Sequence, residues 1–170
     1  MTELMQIQLR PLAAADVEAV LRIQAQCYGQ DFLESRDVYA RRLAMAGHCS
    51  WAAVRGPLIL AYLAAYWSRP GAVTPFGGDF ADYADASVLY LHDMAVSPEA
   101  AGQGLAGRMV QAAREQARAR GIARTALVSV QGSQAYWEGQ GYARVNLENA
   151  AQQQHLASYG EDAVYMEGLI

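Results

Sequence analysis

Apolar and polar residues alternate in some stretches of this chain and recur at helical spacing in others. Met5 to Arg10 alternate, which predicts a first strand that ends at Pro11. From Ala14 to Cys27, apolar residues recur at the spacing of one helix face. Ser35 is expected to cap a second helix, which Gly47 closes. This part of the chain therefore predicts one strand followed by two helices.

Two apolar stretches surround a short turn in the next segment. Ser50 to Val54 and Leu58 to Trp67 predict strands, and the Arg-Gly-Pro turn between them predicts an antiparallel hairpin. Ser68 to Ser87 follows, with two prolines, three glycines and three aspartates. A loop of this length is unusual inside a domain. The loop is either an ordered excursion at the surface or a flap over a bound substrate.

The densest apolar run lies near the middle of the chain. Leu89 to Val96 predicts a strand buried on both faces, and an amphipathic helix is expected from Gly104 to Arg120. The remaining predicted elements are a strand (Arg124–Ser129), a short helix (Ser133–Gln140), two strands (Tyr142–Leu147 and Ala163–Ile170) and a polar loop between those strands (Glu148–Gly160). No repeat or linker interrupts the pattern, so residues 1–170 are expected to form a single domain.

Composition and charge argue against several classes of protein. The net charge is −4 and the 13 lysine and arginine residues are dispersed, so no nucleic-acid partner is expected. No apolar run is long enough to span a membrane, and the first residues lack the order of a signal peptide. We therefore expect a cytoplasmic protein without a membrane partner. Cys27, Cys49 and the three histidines are scattered, so no metal site is expected.

A glycine-rich segment links the buried strand to the long helix. Gly102, Gly104 and Gly107 lie where backbone N–H groups of a first helical turn have no helical acceptor. Glycine lets a phosphate approach the backbone closely, so the segment predicts an anion site. The same residues match the G-x-G-x-x-G pattern of dinucleotide-binding folds. That interpretation fails because five residues separate the strand from Gly102, and because the next strand ends in Gln131 and not in an acidic residue.

Two motifs resemble those of the GNAT superfamily of N-acetyltransferases. Val96-x-Pro98 followed by Gly102-x-Gly104-x-Ala106 and Arg108 is similar to the family's pyrophosphate signature. The second motif is similar to the family's aromatic-Tyr-x-x-x-Gly-Phe segment and reads Tyr136-Trp137-Glu138-Gly139-Gln140-Gly141-Tyr142. Together the motifs cover residues 89–145, about a third of the chain.

The resemblance implies an α+β fold and acetyl-CoA as co-substrate. The expected fold is a single mixed, mostly antiparallel sheet of six to seven strands with about four helices. Its two parallel central strands splay apart where coenzyme A binds. The implied cofactor-binding residues are Met94, Ala95, Val96, Ala101, Gly102, Gln103, Gly104, Leu105, Ala106, Gly107, Arg108 and Trp137.

Two residues depart from the family pattern. Ala101 stands where the family has Gln or Arg, which removes one side chain that often reaches a phosphate. Trp137 stands where many members have a tyrosine that acts as general acid, and an indole does not ionise. Trp137 is therefore interpreted as core or as a cofactor contact. Tyr136 or Tyr142 could protonate the departing thiolate instead, or water could.

Acetyl transfer to an amine requires a proton acceptor, because deprotonating a lysine-like ammonium at neutral pH costs about 4–5 kcal/mol. Strand alternation predicts that Tyr90, His92 and Met94 share one face and that Asp93 points the other way. The resemblance makes His92 the candidate base, with Tyr90 as second choice; the alternative for His92 is a structural core histidine. It also assigns the backbone N–H of Met94 to the oxyanion.

The predicted function is transfer of an acetyl group from acetyl-CoA to a primary amine, in a small molecule or at a peptide terminus. Direct attack in a ternary complex is the expected mechanism. The alternative is a module that binds coenzyme A without catalysis, which the departures at Ala101 and Trp137 suggest. The sequence leaves both the acceptor and the existence of a homodimer open.

Overall fold

One seven-stranded sheet organises the structure, a computed structural model that describes residues 6–170. The strands follow the order β1-β2-β3-β4-β5-β7-β6 across the sheet. Their bounds are β1 Gln8–Pro11, β2 Trp51–Arg55, β3 Leu58–Ser68, β4 Val88–Val96, β5 Arg124–Ser129, β6 Ala143–Arg144 and β7 Val164–Leu169. Within the described residues, β4 and β5 pair in parallel and the other neighbours pair antiparallel.

Five α-helices accompany the sheet in the described part of the chain. Their bounds are α1 Val17–Cys27, α2 Arg36–Ala44, α3 Leu105–Ala119, α4 Gln134–Gly139 and α5 Ala150–Ala157. None of these helices is both long and apolar enough to cross a membrane. The predicted α+β fold class, with its mixed and mostly antiparallel sheet, is thereby confirmed.

Most predicted elements lie within a few residues of their observed bounds. The hairpin of β2 and β3 is antiparallel, and Ser35 caps α2 by accepting a hydrogen bond from the Val38 N–H. Met5 of the predicted first strand lies outside the described residues. Pro11 is the last residue of β1, where it is tolerated because β1 is an edge strand.

The prediction of a loop from Glu148 to Gly160 was wrong, because this segment contains α5. Asn149 caps the helix by accepting a hydrogen bond from the Gln152 N–H at 3.1 Å. No residue of α5 is fully buried, so the helix carries no apolar stripe that a periodicity argument could detect. Gln152 and His155 instead hold α5 in place through hydrogen bonds to the backbone of Val73.

The sheet has an apolar core on each face. Tyr62, Tyr66 and Tyr90 lie on the face that α1 and α2 cover. On the other face, Leu89 and Leu91 pack against α3. The buried residues of α3 recur every four positions, which explains why the sequence predicted this helix: Leu105, Met109, Ala113 and Ala117.

A β-bulge at His92 changes which side chains share a face. Ala64 of β3 pairs with Asp93, but the next residue, Ala65, pairs with Leu91, so His92 has no partner in the ladder. As a result, His92 and Asp93 both point to the face that carries α1 and α2. His92 contacts Glu34, and Asp93 contacts Tyr28 and Tyr39. Met94 packs on the α3 face. The prediction that Met94 shares a face with His92, and that Asp93 opposes it, was therefore wrong.

The long segment between β3 and β4 has neither helix nor strand but is packed. Phe80 is buried and stacks on Tyr66, with ring centroids 4.3 Å apart. Arg42 donates a hydrogen bond to the Gly78 carbonyl at 2.7 Å, and the Gly77 N–H donates to Glu34 at 2.9 Å. The segment is thus an ordered excursion whose backbone is tied to α2 and to the stretch before it.

Candidate active site

The parallel strands β4 and β5 separate at the middle of the sheet and open a cavity. Their pairing ends at Leu91 and Leu127, although both strands continue. The cavity at this point has a volume of about 310 Å³. Its walls come from the two strands, from α4, and from three segments that follow α1, β3 and α5. The predicted splay between β4 and β5 is therefore present, and the cavity lies where the two strands separate.

His92 lies on the wall of this cavity at the bulge of β4. Its Nε2 is 2.7 Å from Oε1 of Glu34, and both side chains are almost completely buried. The other ring nitrogen, Nδ1, is buried and has no hydrogen-bond partner. When Nε2–H donates to a carboxylate, the neutral imidazole carries its lone pair on Nδ1. This arrangement leaves a ring nitrogen without a hydrogen-bond partner on a side chain that lines the cavity.

Glu34 is held in place by several donors. The two terminal guanidinium nitrogens of Arg42, Nη1 and Nη2, donate to its carboxylate at 2.8 and 2.6 Å, and the Gly77 N–H donates to Oε2. Burial by itself raises the pKa of Glu34, but the contacts with His92 and Arg42 outweigh burial and lower the pKa below its ordinary value. Glu34 is therefore an ionised hydrogen-bond acceptor for His92 at neutral pH.

Asp93 forms a second, partly buried polar group next to His92. Its carboxylate accepts hydrogen bonds from the hydroxyls of Tyr28 at 2.8 Å, Tyr62 at 2.6 Å and Tyr39. The pKa values of these tyrosines are raised, first by burial and then by the negative charge of Asp93. The hydroxyls therefore remain protonated and keep donating to Asp93. The single proton of the Tyr28 hydroxyl has a second acceptor within reach, the Met94 carbonyl at 2.7 Å, so this hydroxyl ties the end of α1 to β4.

Helix α4 contributes two aromatic residues to the opposite wall. Tyr136 and Trp137 both line the cavity, with their ring centroids 4.9 Å apart. Tyr136 is 50% exposed, so its hydroxyl is accessible to solvent and to a bound substrate. Tyr142 is buried, and its hydroxyl shares a hydrogen bond with Thr125 at 2.9 Å. Of the two tyrosines that flank Trp137, Tyr136 is the one at the cavity.

The glycine segment lies beyond the end of β4 and starts α3. Gly102 and Gly104 have φ angles of 79° and 70°, a region that residues with a Cβ rarely adopt. The first helical hydrogen bond runs from the Arg108 N–H to the Gly104 carbonyl, so the N–H groups before Arg108 have no helical acceptor. A Cβ at Gly102, Gly104 or Gly107 would meet no protein atom within 4 Å. The space on the Cβ side of these glycines is therefore open, which leaves room for a group to approach this backbone.

The structure brings together only part of the residues predicted from the sequence. His92, Met94, Tyr136 and Trp137 line the cavity, whereas Tyr90 is fully buried and does not. The other predicted cofactor residues continue along β4 or form the loop and the first turn of α3: Ala95, Val96, Ala101, Gly102, Gln103, Gly104, Leu105, Ala106, Gly107 and Arg108. The exposed Arg108 donates to the Ile7 carbonyl at 3.3 Å.

Sequence reasoning missed Glu34 and Arg42. Glu34 lies in a short connection between α1 and α2, and nothing in its local pattern marks it as buried. Arg42 is in the last turn of α2, where a basic residue usually faces solvent and favours the helix dipole. Its burial reverses that expectation, and only the tertiary structure reveals it.

Comparison with known proteins identifies the family. The profile of the acetyltransferase (GNAT) family matches residues 17–142. No curated protein sequence matches the chain significantly.

Solved structures have the same fold at low sequence identity. PaiA N-acetyltransferase from Thermoplasma acidophilum, in complex with coenzyme A, has a TM-score of 0.67 at 12% identity, over 98% of this chain and 100% of that one. The ribosomal-protein-S18-alanine N-acetyltransferase from Escherichia coli has a TM-score of 0.69 at 16% identity, over 97% and 94%. The loading GNATL domain of CurA from Lyngbya majuscula has a TM-score of 0.74 at 12% identity, over 96% and 98%.

These likenesses establish the fold, and the profile match establishes more, because it covers most of the sequence and includes both motifs. The matched region extends from the start of α1 to Tyr142, through the cavity and the glycine segment. The chain belongs to the GNAT family of acetyltransferases.

Proposed function

We propose that this protein is an N-acetyltransferase that moves an acetyl group from acetyl-CoA to a primary amine by direct attack in a ternary complex. The observation that carries the proposal is His92, whose Nε2 is bound to Glu34 and whose Nδ1 has no partner at a cavity between two splayed strands. The whole chain is proposed to act as one domain, since β7 near its C-terminus completes the sheet beside β5.

The glycine segment is the proposed pyrophosphate site of acetyl-CoA. The open space in front of Gly102, Gly104 and Gly107 fits a phosphate group, and the backbone N–H groups before Arg108 supply donors. These donors do not depend on a side chain at Ala101. The PaiA structure contains coenzyme A. When bound, acetyl-CoA supplies the activated acetyl group, and the cavity beside β4 would receive its thioester end.

His92 is the proposed general base. Nδ1 accepts the proton of the amine, directly or through a water, while Nε2 keeps its hydrogen bond to Glu34. The ionised carboxylate of Glu34 stabilises the imidazolium that forms, and Arg42 keeps Glu34 ionised. Tyr90 remains a prediction of the sequence; its burial away from the cavity does not favour it.

Met94 and Tyr136 complete the proposed chemistry. Met94 lies on the part of β4 that has separated from β5, and its backbone N–H is assigned to the developing oxyanion. One such donor is typically worth about 2.7–4 kcal/mol in the transition state. The Tyr136 hydroxyl is assigned to the departing thiolate. Trp137 contributes a wall of the site and no proton.

Two assays separate catalysis from binding alone. We expect the protein to release free thiol from acetyl-CoA when a mixture of primary amines is present, with acetylated amine detected by mass spectrometry. Tight binding of acetyl-CoA in calorimetry without thiol release would contradict catalysis and would favour a coenzyme A-binding module. The predicted cytoplasmic location and the question of a homodimer are independent of this test.

A further inference from the structure

Four aromatic side chains from outside α4 line the cavity. We call them the aromatic wall: Tyr28, Phe32, Phe76 and Tyr159. Phe76 meets Phe32 and Tyr159 edge to face, with ring centroids 6.4 and 6.0 Å apart. These residues come from the segments after α1, β3 and α5, so three separate parts of the chain converge on one apolar surface.

The polar groups of this wall are already occupied. The Tyr28 hydroxyl lies within hydrogen-bond distance of two acceptors, Asp93 and the Met94 carbonyl, and the Tyr159 hydroxyl donates to the Thr74 carbonyl at 2.6 Å. The Glu34 carboxylate is shared among Arg42, His92 and the Gly77 N–H. A polar acceptor substrate would therefore lose water without gaining hydrogen bonds here, and unpaired buried polar groups are strongly disfavoured.

Glu34 and Asp93, both with carboxyl groups, line the cavity. No lysine or arginine is among the residues that line it within the described chain. Arg42 is fully buried and neutralises Glu34, whereas Asp93 has no cationic side chain within ion-pair distance in residues 6–170. A substrate carboxylate would therefore find no lysine or arginine with which to pair at this cavity, within the described residues.

We propose that the acceptor of this enzyme is a compact primary amine with an apolar, aromatic body and no carboxylate, bound with its ring against the aromatic wall and its nitrogen at His92. This inference rests on the proposed acetyltransferase function and narrows its acceptor. The cavity volume of about 310 Å³ supports a small acceptor, because it lies at the lower end of the range for ligand sites, about 300–1,000 Å³.

An amine panel tests the inference, with coenzyme A release as the signal. The probes are 2-phenylethylamine, L-phenylalanine, L-phenylalaninamide, ethylamine and a tripeptide with a free alanine N-terminus. We expect kcat/KM for 2-phenylethylamine to exceed those for L-phenylalanine and the tripeptide about 10²-fold or more. We also expect a lower kcat/KM for L-phenylalaninamide than for 2-phenylethylamine, because its amide finds no free hydrogen-bond partner at the wall. This comparison is conservative, since the less basic amine of L-phenylalaninamide is neutral to a greater extent at a given pH.

A pair of variants tests the contact with the ring. Phe76→Ala should lower the ratio of kcat/KM for 2-phenylethylamine to that for ethylamine by about 10-fold, because only the larger amine reaches the wall. Phe76→Leu is the matched control, since it keeps apolar volume and should retain more of the ratio. The Kd for acetyl-CoA reports whether either variant disturbs the rest of the site.

The outcomes separate the inference from the function on which it rests. Equal or faster acetylation of the tripeptide or of L-phenylalanine would overturn the aromatic acceptor and leave the acetyltransferase function intact. An unchanged ratio in Phe76→Ala would also overturn it. Absence of coenzyme A release with every amine, in a protein that binds acetyl-CoA, would overturn both.

Discussion

The two ends of the candidate active site are built in different ways. The proposed cofactor end uses a run of consecutive residues around Gly102 and Gly104, where backbone N–H groups have no helical acceptor and an added Cβ would meet open space. The acceptor end uses side chains from distant segments, with Glu34, Arg42 and His92 in one buried chain of contacts. A backbone site of this kind can be disturbed only by adding atoms, whereas a side-chain network can be disturbed by removing one.

The largest expected effect concerns His92. His92→Ala should lower kcat/KM by about 10²–10⁴-fold, the usual range for a positioned base, and should leave the Kd for acetyl-CoA unchanged. The acid limb of the pH profile should move toward the titration of the free amine, because only neutral amine would then react. Steady-state kinetics across pH and calorimetry measure both quantities.

His92→Gln is the matched control, because a glutamine amide can still donate to Glu34 but has no basic atom. It should fold with near-normal stability and be as inactive as the alanine variant. If either variant kept near-normal activity with the same acid limb of the pH profile, His92 would be a structural residue. The acceptor end would then not differ from the cofactor end by having a catalytic side chain at this position.

The next effect concerns stability at the acceptor end. Arg42→Met should lower the free energy of unfolding by about 3–5 kcal/mol, because it leaves the buried Glu34 carboxylate without its main cationic partner. Urea denaturation measures the loss. The double variant Arg42→Met with Glu34→Gln should recover part of it, since the uncompensated charge is then absent. A loss below about 1 kcal/mol would show that the Arg42–Glu34 pair stabilises the protein no more than an exposed ion pair does.

The cofactor end should respond in binding and much less in stability. Gly104→Glu should raise the Kd for acetyl-CoA about 10–100-fold, because a carboxylate would face the pyrophosphate. Gly104→Ala is the matched control: both variants share the backbone strain at a φ of 70°, about 1–2 kcal/mol, but only one adds charge. Calorimetry measures the Kd for acetyl-CoA of both variants. Equal Kd values would show that the pyrophosphate does not bind at this segment.

The smallest expected effect is on the pH dependence of stability. The pKa of Glu34 is below its ordinary value of 4.5 in the folded protein, so the unfolded chain takes up this proton first as the pH falls. The stability that ionised Glu34 contributes is therefore complete above the ordinary pKa and is lost as the pH falls toward the folded pKa. Glu34→Gln should be less stable than the wild type at pH 7, and denaturation at pH 5, 4 and 3 should find the difference shrinking. If the stability difference between Glu34→Gln and the wild type stayed constant as the pH falls, Glu34 would not contribute to the loss of stability in acid.

The same contrast explains what the sequence could predict. The glycine segment is local, so its residue types and spacing were enough to predict the turn that starts α3. Its phosphate ligand stays a prediction. The strands and α3 were predictable for the same reason, since a buried helix face repeats every four residues. Glu34 acquires its role only when Arg42, Gly77 and His92 approach it, and no short pattern encodes that approach.

Two errors have specific physical causes. The bulge at His92 lies in a strand whose apolar residues continue on both sides of it, so simple alternation carried the wrong face through to Asp93 and Met94. Helix α5 was missed because polar contacts to Val73 hold it in place and no buried apolar stripe does. Both errors arise where tertiary contacts override a periodic pattern.

The contacts between α5 and the segment after β3 also bear on how the chain folds. The hydrogen bonds that join Val73 to Gln152 and His155, and Thr74 to Tyr159, link residues 79 to 85 positions apart. Closing such long loops costs more entropy than forming the β2–β3 hairpin, so these contacts are expected to form late in the folding reaction. During synthesis, residues 69–87 leave the ribosome well before their partners exist. Phe76 can therefore meet Tyr159 in the aromatic wall only after α5 and the residues that follow it have been made, so the pocket for the acceptor is completed after most of the described chain has appeared.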